Sequence, residues 1–254
     1  MDPLIDLRGR NAIITGGCRG VGRAVALQLA QVGANVGIGF RSRVDDAEAV
    51  VEECRALGVQ AWAHGGDLAD PAEAEALFAR GDVEFEGLDI FVGNHGIWPP
   101  EDEPVAELSN ERWHRTIDAN LHSIFYACRA AAGRLRDHGR VVLVSSTAGQ
   151  RGEAFHADYA ATKGALISMV KGFCVELAPR GITVNSVAPG WIDTEMAAIA
   201  FEGGERERIM GTIPIGRIAT ATDVAGPIVF LCSELARHIT GEIVNVNGGA
   251  VLPG

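Results

Sequence analysis

"NAIITGGCRGVGRAVALQLAQVG", residues 11–33, opens on a short apolar run and passes into "TGGCRGVG" (15–22), with four glycines in eight positions. It then takes up helical periodicity until Gly33 closes it. Glycine is entropically costly to order, so such a cluster implies that something comes too close to this backbone for side chains. Where a strand turns into a helix, that something is expected to be a phosphate. Gly16 allows the tight turn, and Gly20 lets a diphosphate reach a helix N-terminus whose unpaired N–H groups and dipole attract anions. Gly22 lets helix and strand pack closely. The T-G-x-x-x-G-x-G spacing is a variation on the dinucleotide fingerprint. The spacing alone would also suit a structural turn; the strand before it and the helix after it favour a nucleotide.

The same rhythm runs through the chain. Strand-like runs lie at 11–15, 34–40, 59–64, 88–93, 140–146, 182–189 and 242–247. Helical stretches lie between them at 21–33, 44–57, 71–80, 110–136, 157–178 and 222–232. Runs such as "RVVLV" are apolar throughout, as expected of parallel strands covered on both faces. Seven alternations predict an α/β class, a doubly wound parallel seven-stranded sheet forming a single domain over 1–254, with ligands at the carboxyl ends of the strands. Segment 191–215 breaks the alternation and is expected to form a lid over the substrate, or else a packed pair of surface helices.

Bulk properties narrow the function. A hydrophobic content of 47% with 22% charged residues suits a chain that buries a sizeable core. A net charge of −11 excludes a general nucleic-acid or anionic-membrane binder, both of which need a basic face. The five dispersed cysteines (18, 54, 128, 174, 232) read as reduced thiols of a cytoplasmic protein, and the seven histidines show no metal-ligand spacing. "MDPLIDLRGR" lacks the layout of a signal peptide.

The end of the second strand bears on the choice of dinucleotide. An NAD site usually carries a carboxylate there for the ribose 2′-OH. Here Phe40 is followed by Arg41, Ser42 and Arg43, with no carboxylate before Asp45, and Arg19 faces the same ribose from the glycine loop. Guanidinium groups bind a 2′-phosphate with paired hydrogen bonds. NADP (NADPH) is therefore expected, with NAD the alternative; the plain alternative is that the arginines are solvated surface charges.

The chemistry is carried by "YAATK". The chain has two tyrosines, and its lysines are Lys163 and Lys171, yet one of each stands four residues apart as Tyr159 and Lys163. On a helix the two share a face. A nearby ammonium is expected to stabilise the phenolate and lower a pKa that is ordinarily about 10. Such a phenol can exchange a proton with a carbonyl or carbinol oxygen while hydride moves to or from nicotinamide. "LVSSTAG" at the end of the fifth strand offers a serine hydroxyl to the same oxygen, from Ser145 or Ser146.

Taken together these motifs resemble the short-chain dehydrogenase/reductase family, over essentially the whole chain and in the 3-oxoacyl-[acyl-carrier-protein] reductase-like manner. The resemblance implies a Rossmann fold. It selects Ser146, thirteen residues before the tyrosine, and adds Asn120 of "DANL". Tyr159 would be the acid/base and Ser146 would orient the carbonyl. Lys163 would tune the phenol and hold the nicotinamide ribose, and Asn120 would complete a water-linked proton relay. Asp67 of "GDL" would contact adenine, and "PGWIDT" (189–194) would hold the carboxamide through Pro189, Gly190, Ile192 and Thr194. Arg19 goes with NADP preference in the family. The family's Asn-Asn-Ala-Gly reads "GNHG" (93–96), which keeps Asn94 and Gly96 but puts His95 where a small residue is usual. His95 either titrates or packs locally. Asn247 stands where an aspartate is common.

The expected function is an NADP-dependent interconversion of a ketone and a secondary alcohol, with a small-molecule substrate and a homotetrameric assembly implied by resemblance. Trp98, His156, Trp191 and Met196, with Phe155, would line the substrate side. A sugar or polyol dehydrogenase is the rival of like chemistry. A catalytically silent nucleotide-binding scaffold is the rival of another class, and it is expected to have lost part of the Ser-Tyr-Lys-Asn set.

Overall fold

In a computed structural model, which describes residues 3–252, seven strands form one sheet in the order β3-β2-β1-β4-β5-β6-β7. The outermost residues of the predicted domain, 1, 2, 253 and 254, lie outside this description. Every neighbouring pair is parallel. The strands are β1 (Asn11–Thr15), β2 (Asn35–Phe40), β3 (Ala61–Gly65), β4 (Leu88–Gly93), β5 (Leu135–Val144), β6 (Thr183–Pro189) and β7 (Ile243–Val246). The chain winds outward from β1 to β3, then returns to lay β4 on the other side of β1. That reversal opens a crevice above the carboxyl ends of β1 and β4.

The helices divide between two layers. On one face α1 (Gly20–Gln31), α2 (Val44–Ala56) and α9 (Ala221–Leu231) bury Val25, Leu29, Val50 and Ile228 against Ile14, Val142 and Val187. On the other, α3 (Pro71–Glu84), α5 (Ser123–Ala132) and α7 (Ala157–Leu177) bury Phe78, Ile124, Leu166 and Val170 against Ile13, Phe91 and Val184. Each fully buried side chain of this size contributes roughly 1.5–3 kcal/mol. Helix starts follow local chemistry. Asp70 accepts from Ala72 ahead of Pro71, and Thr220 and Asp223 form a reciprocal capping box at α9.

Several elements depart from expectation; α3 runs on to Glu84 rather than ending at 80. The helix expected over 110–136 is α4 (Asn110–Ile117), a π-helical turn (Asp118–His122) and α5, ending at Ala132. The apolar period runs on past Gly133, but the Ala132 carbonyl accepts from Arg180 and the next residues start β5 instead. β5 therefore begins five residues earlier than its apolar core suggests, with a register shift against β4 between Leu88 and Ile90. The short helix α6 (Thr147–Arg151) carries no periodicity to announce it. Segment 191–215 holds short 3-10 turns and α8 (Glu205–Gly211), with Ile209 and Ile213 packed against Trp191 and Phe201. No helix among the described residues is long and apolar enough to cross a membrane.

Candidate active site

The carboxyl ends of the strands surround a cavity of about 570 Å³. Gly16, Arg19 and Gly20 line it from the β1–α1 turn, Arg41 and Ser42 from the end of β2, and Asp67 from beyond β3. Asn94, Gly96 and Trp98 line it after β4, Ser146 after β5, Tyr159 and Lys163 from α7, and Pro189, Gly190, Trp191, Ile192, Thr194 and Met196 after β6. Gly22, Asn120 and His156 are not in its wall; each stands behind it.

The glycine turn is built for close approach. Gly16 has φ +64° and Gly20 φ +52°, the left-handed region that favours glycine. A Cβ on Gly22 would lie 2.1 Å from the Gly16 carbonyl oxygen, so the first turn of α1 packs on the glycine turn itself. Asn94 ties this turn to β4: its Nδ2 donates to the Thr15 and Gly16 carbonyls at 3.1 and 3.2 Å, and its backbone N–H donates to Thr15 Oγ1. With three arginines at the rim, this cradle fits a phosphorylated dinucleotide.

Ser145 and Ser146 part company here. Ser145 is buried and donates to the Lys163 carbonyl at 2.7 Å. Ser146 faces the cavity, caps α6 by accepting from Ala148, and stands beside the Tyr159 phenol, whose pKa it lowers. Ser146 reaches α7 because α6 sits directly on it: a Cβ on Gly149 would fall 2.5 Å from the Lys163 carbonyl carbon. The Lys163 ammonium donates to the Val144 carbonyl at 2.9 Å and lies 5.8 Å from the Tyr159 ring centroid.

The lowering of the Tyr159 pKa expected from the neighbouring lysine is not found. Burial pushes the phenol up to about 12, with the Ser146 hydroxyl pulling the other way and Glu153 adding to the rise. Burial likewise pulls the Lys163 ammonium down to about 8. Desolvation penalises the charged form of each group more than either stabilises the other at this separation.

The Asn120 side chain is buried and tied to its neighbours. Its Oδ1 accepts from the Ile97 backbone N–H at 2.7 Å and its Nδ2 donates to the Ile97 carbonyl at 2.9 Å, a clip that fixes the loop after β4. His156 is stacked face-on behind Trp98, with centroids 3.9 Å apart, while Trp98 meets Tyr159 and Trp191 edge-on. Phe155 is half exposed. A network that no sequence motif announces anchors the same loop. Arg112 donates to Asp158 at 3.2 Å, to the Glu101 carbonyl at 2.7 Å and to Glu103 at 3.1 Å. Burial alone would raise the Asp158 carboxyl, but bonds from Thr116 and Arg112 outweigh it and hold the pKa below the ordinary value. Asp158 directly precedes Tyr159, so this pair fixes the start of α7.

The departures from the family pattern have local explanations. The space above Gly93 is filled by Leu143, 2.7 Å from where a Cβ would stand. Asn247 closes the final turn, accepting from Gly249 and donating to the Val251 carbonyl, both at 2.9 Å. His95 Nε2 lies 2.7 Å from Ser123 Oγ, which itself donates to the Ala119 carbonyl. Nε2 therefore carries the proton, and buried Nδ1 has no partner. Burial, aided by Lys163 and Arg41, pulls the His95 pKa down to about 3. A group that stays neutral when folded and binds a proton when unfolded destabilises the fold as pH falls. The loss begins near pH 6.5 and accrues at about 1.4 kcal/mol per pH unit down to the folded value. His95→Ala is expected to flatten the fall of Tm between pH 6.5 and 5 relative to wild type; identical slopes would show that His95 ionises in the fold.

A doubly wound parallel domain with a glycine turn and a Ser-Tyr-Lys group in one crevice defines a nucleotide-dependent oxidoreductase. The comparisons with known proteins agree. A family model described as "Enoyl-(Acyl carrier protein) reductase" matches residues 16–251. The chain is 38% identical over 242 residues to the 3-oxoacyl-[acyl-carrier-protein] reductase FabG of Staphylococcus aureus, covering 94% of this chain and 97% of that one. It is 37% identical to FabG of Escherichia coli, covering 96% and 98%. Among solved structures, a short-chain dehydrogenase/reductase described as glucose/ribitol dehydrogenase from Brucella melitensis superposes with a TM-score of 0.91 at 33% identity, covering 98% and 99%. A Burkholderia cenocepacia short chain dehydrogenase in complex with NADP gives 0.90 at 36%, covering 96% and 98%. The chain belongs to the short-chain dehydrogenase/reductase family.

Proposed function

We propose that the protein interconverts a ketone and a secondary alcohol with NADP(H), using Tyr159 as acid/base. The observation that carries this reading is the convergence of Ser146, Tyr159 and Lys163 with the glycine turn on one cavity. Bound nicotinamide supplies or takes up the hydride. The chain's own residues do the rest. Ser146 donates to the carbonyl oxygen. Tyr159, with its proton firmly held at neutral pH, delivers that proton as the oxygen gains charge. Lys163 is assigned to the nicotinamide ribose. Asn120, its amide already spent on Ile97, acts by positioning, and any part in a proton relay falls to its backbone. Asp67 is assigned to adenine, and Ile192 and Thr194 to the carboxamide.

The aromatic wall of Trp98 and Trp191 with Met196 favours an apolar or ring-bearing ketone, and His156 serves it by backing Trp98. The relatives described as 3-oxoacyl-[acyl-carrier-protein] reductases support carbonyl reduction. A net charge of −11 gives an acidic carrier protein little to dock on, which favours a small molecule over a carrier-bound one. Oxidation of a sugar or polyol is the second reading, favoured by the glucose/ribitol dehydrogenase neighbour. A panel of ketones, sugars and alcohols run with NADPH/NADP and NADH/NAD in parallel tests both; absence of turnover on every carbonyl and alcohol refutes them. We further infer a homotetramer, with the half-exposed Phe125 of α5 and exposed Val175 of α7 in its contacts, and a reducing cytoplasmic setting for five free thiols.

NADP preference rests on the arginines at the rim, supported by the neighbour solved with NADP. Arg41→Asp replaces a cation by a carboxylate able to accept from a 2′-OH and repel a 2′-phosphate. Its ratio of kcat/KM for NADPH over NADH is expected to fall about tenfold or more, equivalent to ~1.4 kcal/mol. An unchanged ratio would remove Arg41 from the cofactor site.

A further inference from the structure

The arginines that the NADP reading assigns to a 2′-phosphate already hold anions. Arg19 Nη1 and Arg43 Nη2 both lie 2.8 Å from the same oxygen, Glu195 Oε2. Arg43 also donates to Asp46 at 3.1 Å, and Arg41 Nη1 stands 3.9 Å from Asp67 Oδ2. Three guanidinium groups are thus matched by three carboxylates: Glu195, Asp46 and Asp67. Asp46 and Asp67 come from the elements that flank the adenosine end, α2 and the turn after β3. Glu195 does not. It opens the 3-10 turn Glu195–Ala197, directly after Thr194, and approaches from the segment that follows β6.

A carboxylate oxygen gripped by two guanidinium groups has the donor geometry that a phosphate oxygen would claim. The grip joins segments 176 and 152 residues apart in sequence, so local chain geometry does not impose it. The approach is close: a Cβ on Gly20 would meet Thr194 Cγ2 at 3.5 Å, which puts the Glu195 segment against the N-terminus of α1. Glu195 is also free to leave, because its side chain is 60% exposed and its only ion pairs among the described residues are those with Arg19 and Arg43.

We propose that Glu195 determines cofactor specificity by acting as an internal anion, filling the Arg19–Arg43 seat that a 2′-phosphate must take from it. The inference rests on the NADP reading and sharpens it. A cofactor bearing the 2′-phosphate has to displace the carboxylate, whereas NAD(H) leaves it in place. Glu195 therefore weakens NADP(H) selectively and narrows the preference that the arginines create. Displacement also releases the Thr194–Ala197 turn from the glycine loop, so that seating the phosphate and loosening one edge of the cavity become a single event.

The test is binding, measured apart from turnover. Dissociation constants for 2′,5′-ADP, 5′-AMP, NADPH and NADH are obtained by calorimetry on wild type and on Glu195→Gln, which keeps the size and removes the charge. The variant is expected to bind 2′,5′-ADP and NADPH about fivefold more tightly, the range set by two exposed ion pairs. 5′-AMP and NADH should stay within about twofold. Glu195→Asp, which keeps the charge, should fall closer to wild type. Equal changes for NADPH and NADH would make Glu195 a clasp over any dinucleotide and overturn the proposal. A wild-type preference for 2′,5′-ADP over 5′-AMP that Glu195→Gln leaves unmoved overturns the proposal alone. Absence of that preference in both proteins overturns the NADP reading, and the proposal with it.

Discussion

Tyr159→Phe is expected to reduce turnover about 10³-fold, the middle of the range for loss of a positioned general acid, with NADPH binding unchanged within about twofold. The substitution is clean. Tyr159 is packed edge-on against Trp98 at 4.7 Å between ring centroids, and phenylalanine keeps that ring and its contacts. Ser146 keeps its cap on α6 through Ala148. The missing atom is therefore the phenol oxygen alone. A phenol whose pKa burial pushes up to about 12 is a weak acid, but it does not have to ionise beforehand. As hydride adds to a ketone the oxygen becomes an alkoxide, a stronger base than phenolate, and the transfer runs downhill. Single-turnover measurement of NADPH oxidation with an accepted ketone separates the chemical step from product release. A silent nucleotide-binding scaffold predicts no change at all, and a loss smaller than about tenfold would remove Tyr159 from the proton transfer.

The parts of the molecule that could be read from the chain are those whose physics is local. β1 and β4 follow from apolar runs and punctuating glycines. The glycine turn and the Tyr159–Lys163 pair are short-range patterns. What could not be read depends on partners distant in sequence. Arg112 and Asp158 are 46 residues apart, and nothing local marks either as half of a buried pair. Ser145 and Ser146 look alike in sequence; the burial of one beneath α7 separates them. His95 illustrates the same limit in its ionisation. Its identity allows titration near neutrality, but desolvation of a ring half-sunk in the cavity wall and the hydrogen bond to Ser123 decide for the neutral form. The Tyr159 phenol shows that proximity in sequence also misleads. Lys163 is the expected neighbour, yet desolvation sets the phenol's acidity in this structure. The aromatic side of the cavity was legible only as a set of residues. Trp98, Trp191 and Met196 line it, whereas His156 stacks on Trp98 outside the wall.

Gly22→Ala carries the other large expected effect, although it adds one methyl group. The added carbon would stand 2.1 Å from the Gly16 carbonyl oxygen, 2.8 Å from its carbon and 2.6 Å from Asn94 Nδ2. Two of those atoms are backbone, so no side-chain rotation relieves the clash. The turn cannot retreat either, because a Cβ on Gly16 would already be 3.0 Å from the His95 backbone on its other side. α1 has to lift from the turn, or the turn has to break its bonds from Asn94 to the Thr15 and Gly16 carbonyls. Overpacking costs about 1–3 kcal/mol, and each lost hydrogen bond about 1 kcal/mol, giving a loss of roughly 3–5 kcal/mol in unfolding free energy. Nucleotide affinity should fall more than tenfold alongside it, because the N–H groups that would meet a diphosphate are those displaced. Gly20→Ala is the control. It suffers the strain of φ +52° but meets nothing nearer than Thr194 Cγ2 at 3.5 Å, a penalty of about 1–2 kcal/mol. Denaturant melts of the two variants side by side, with NADPH titrations of Gly22→Ala against wild type, decide the matter. If Gly22→Ala proves as stable as Gly20→Ala and binds NADPH as wild type does, the packing of α1 on its own turn is not what demands glycine at position 22.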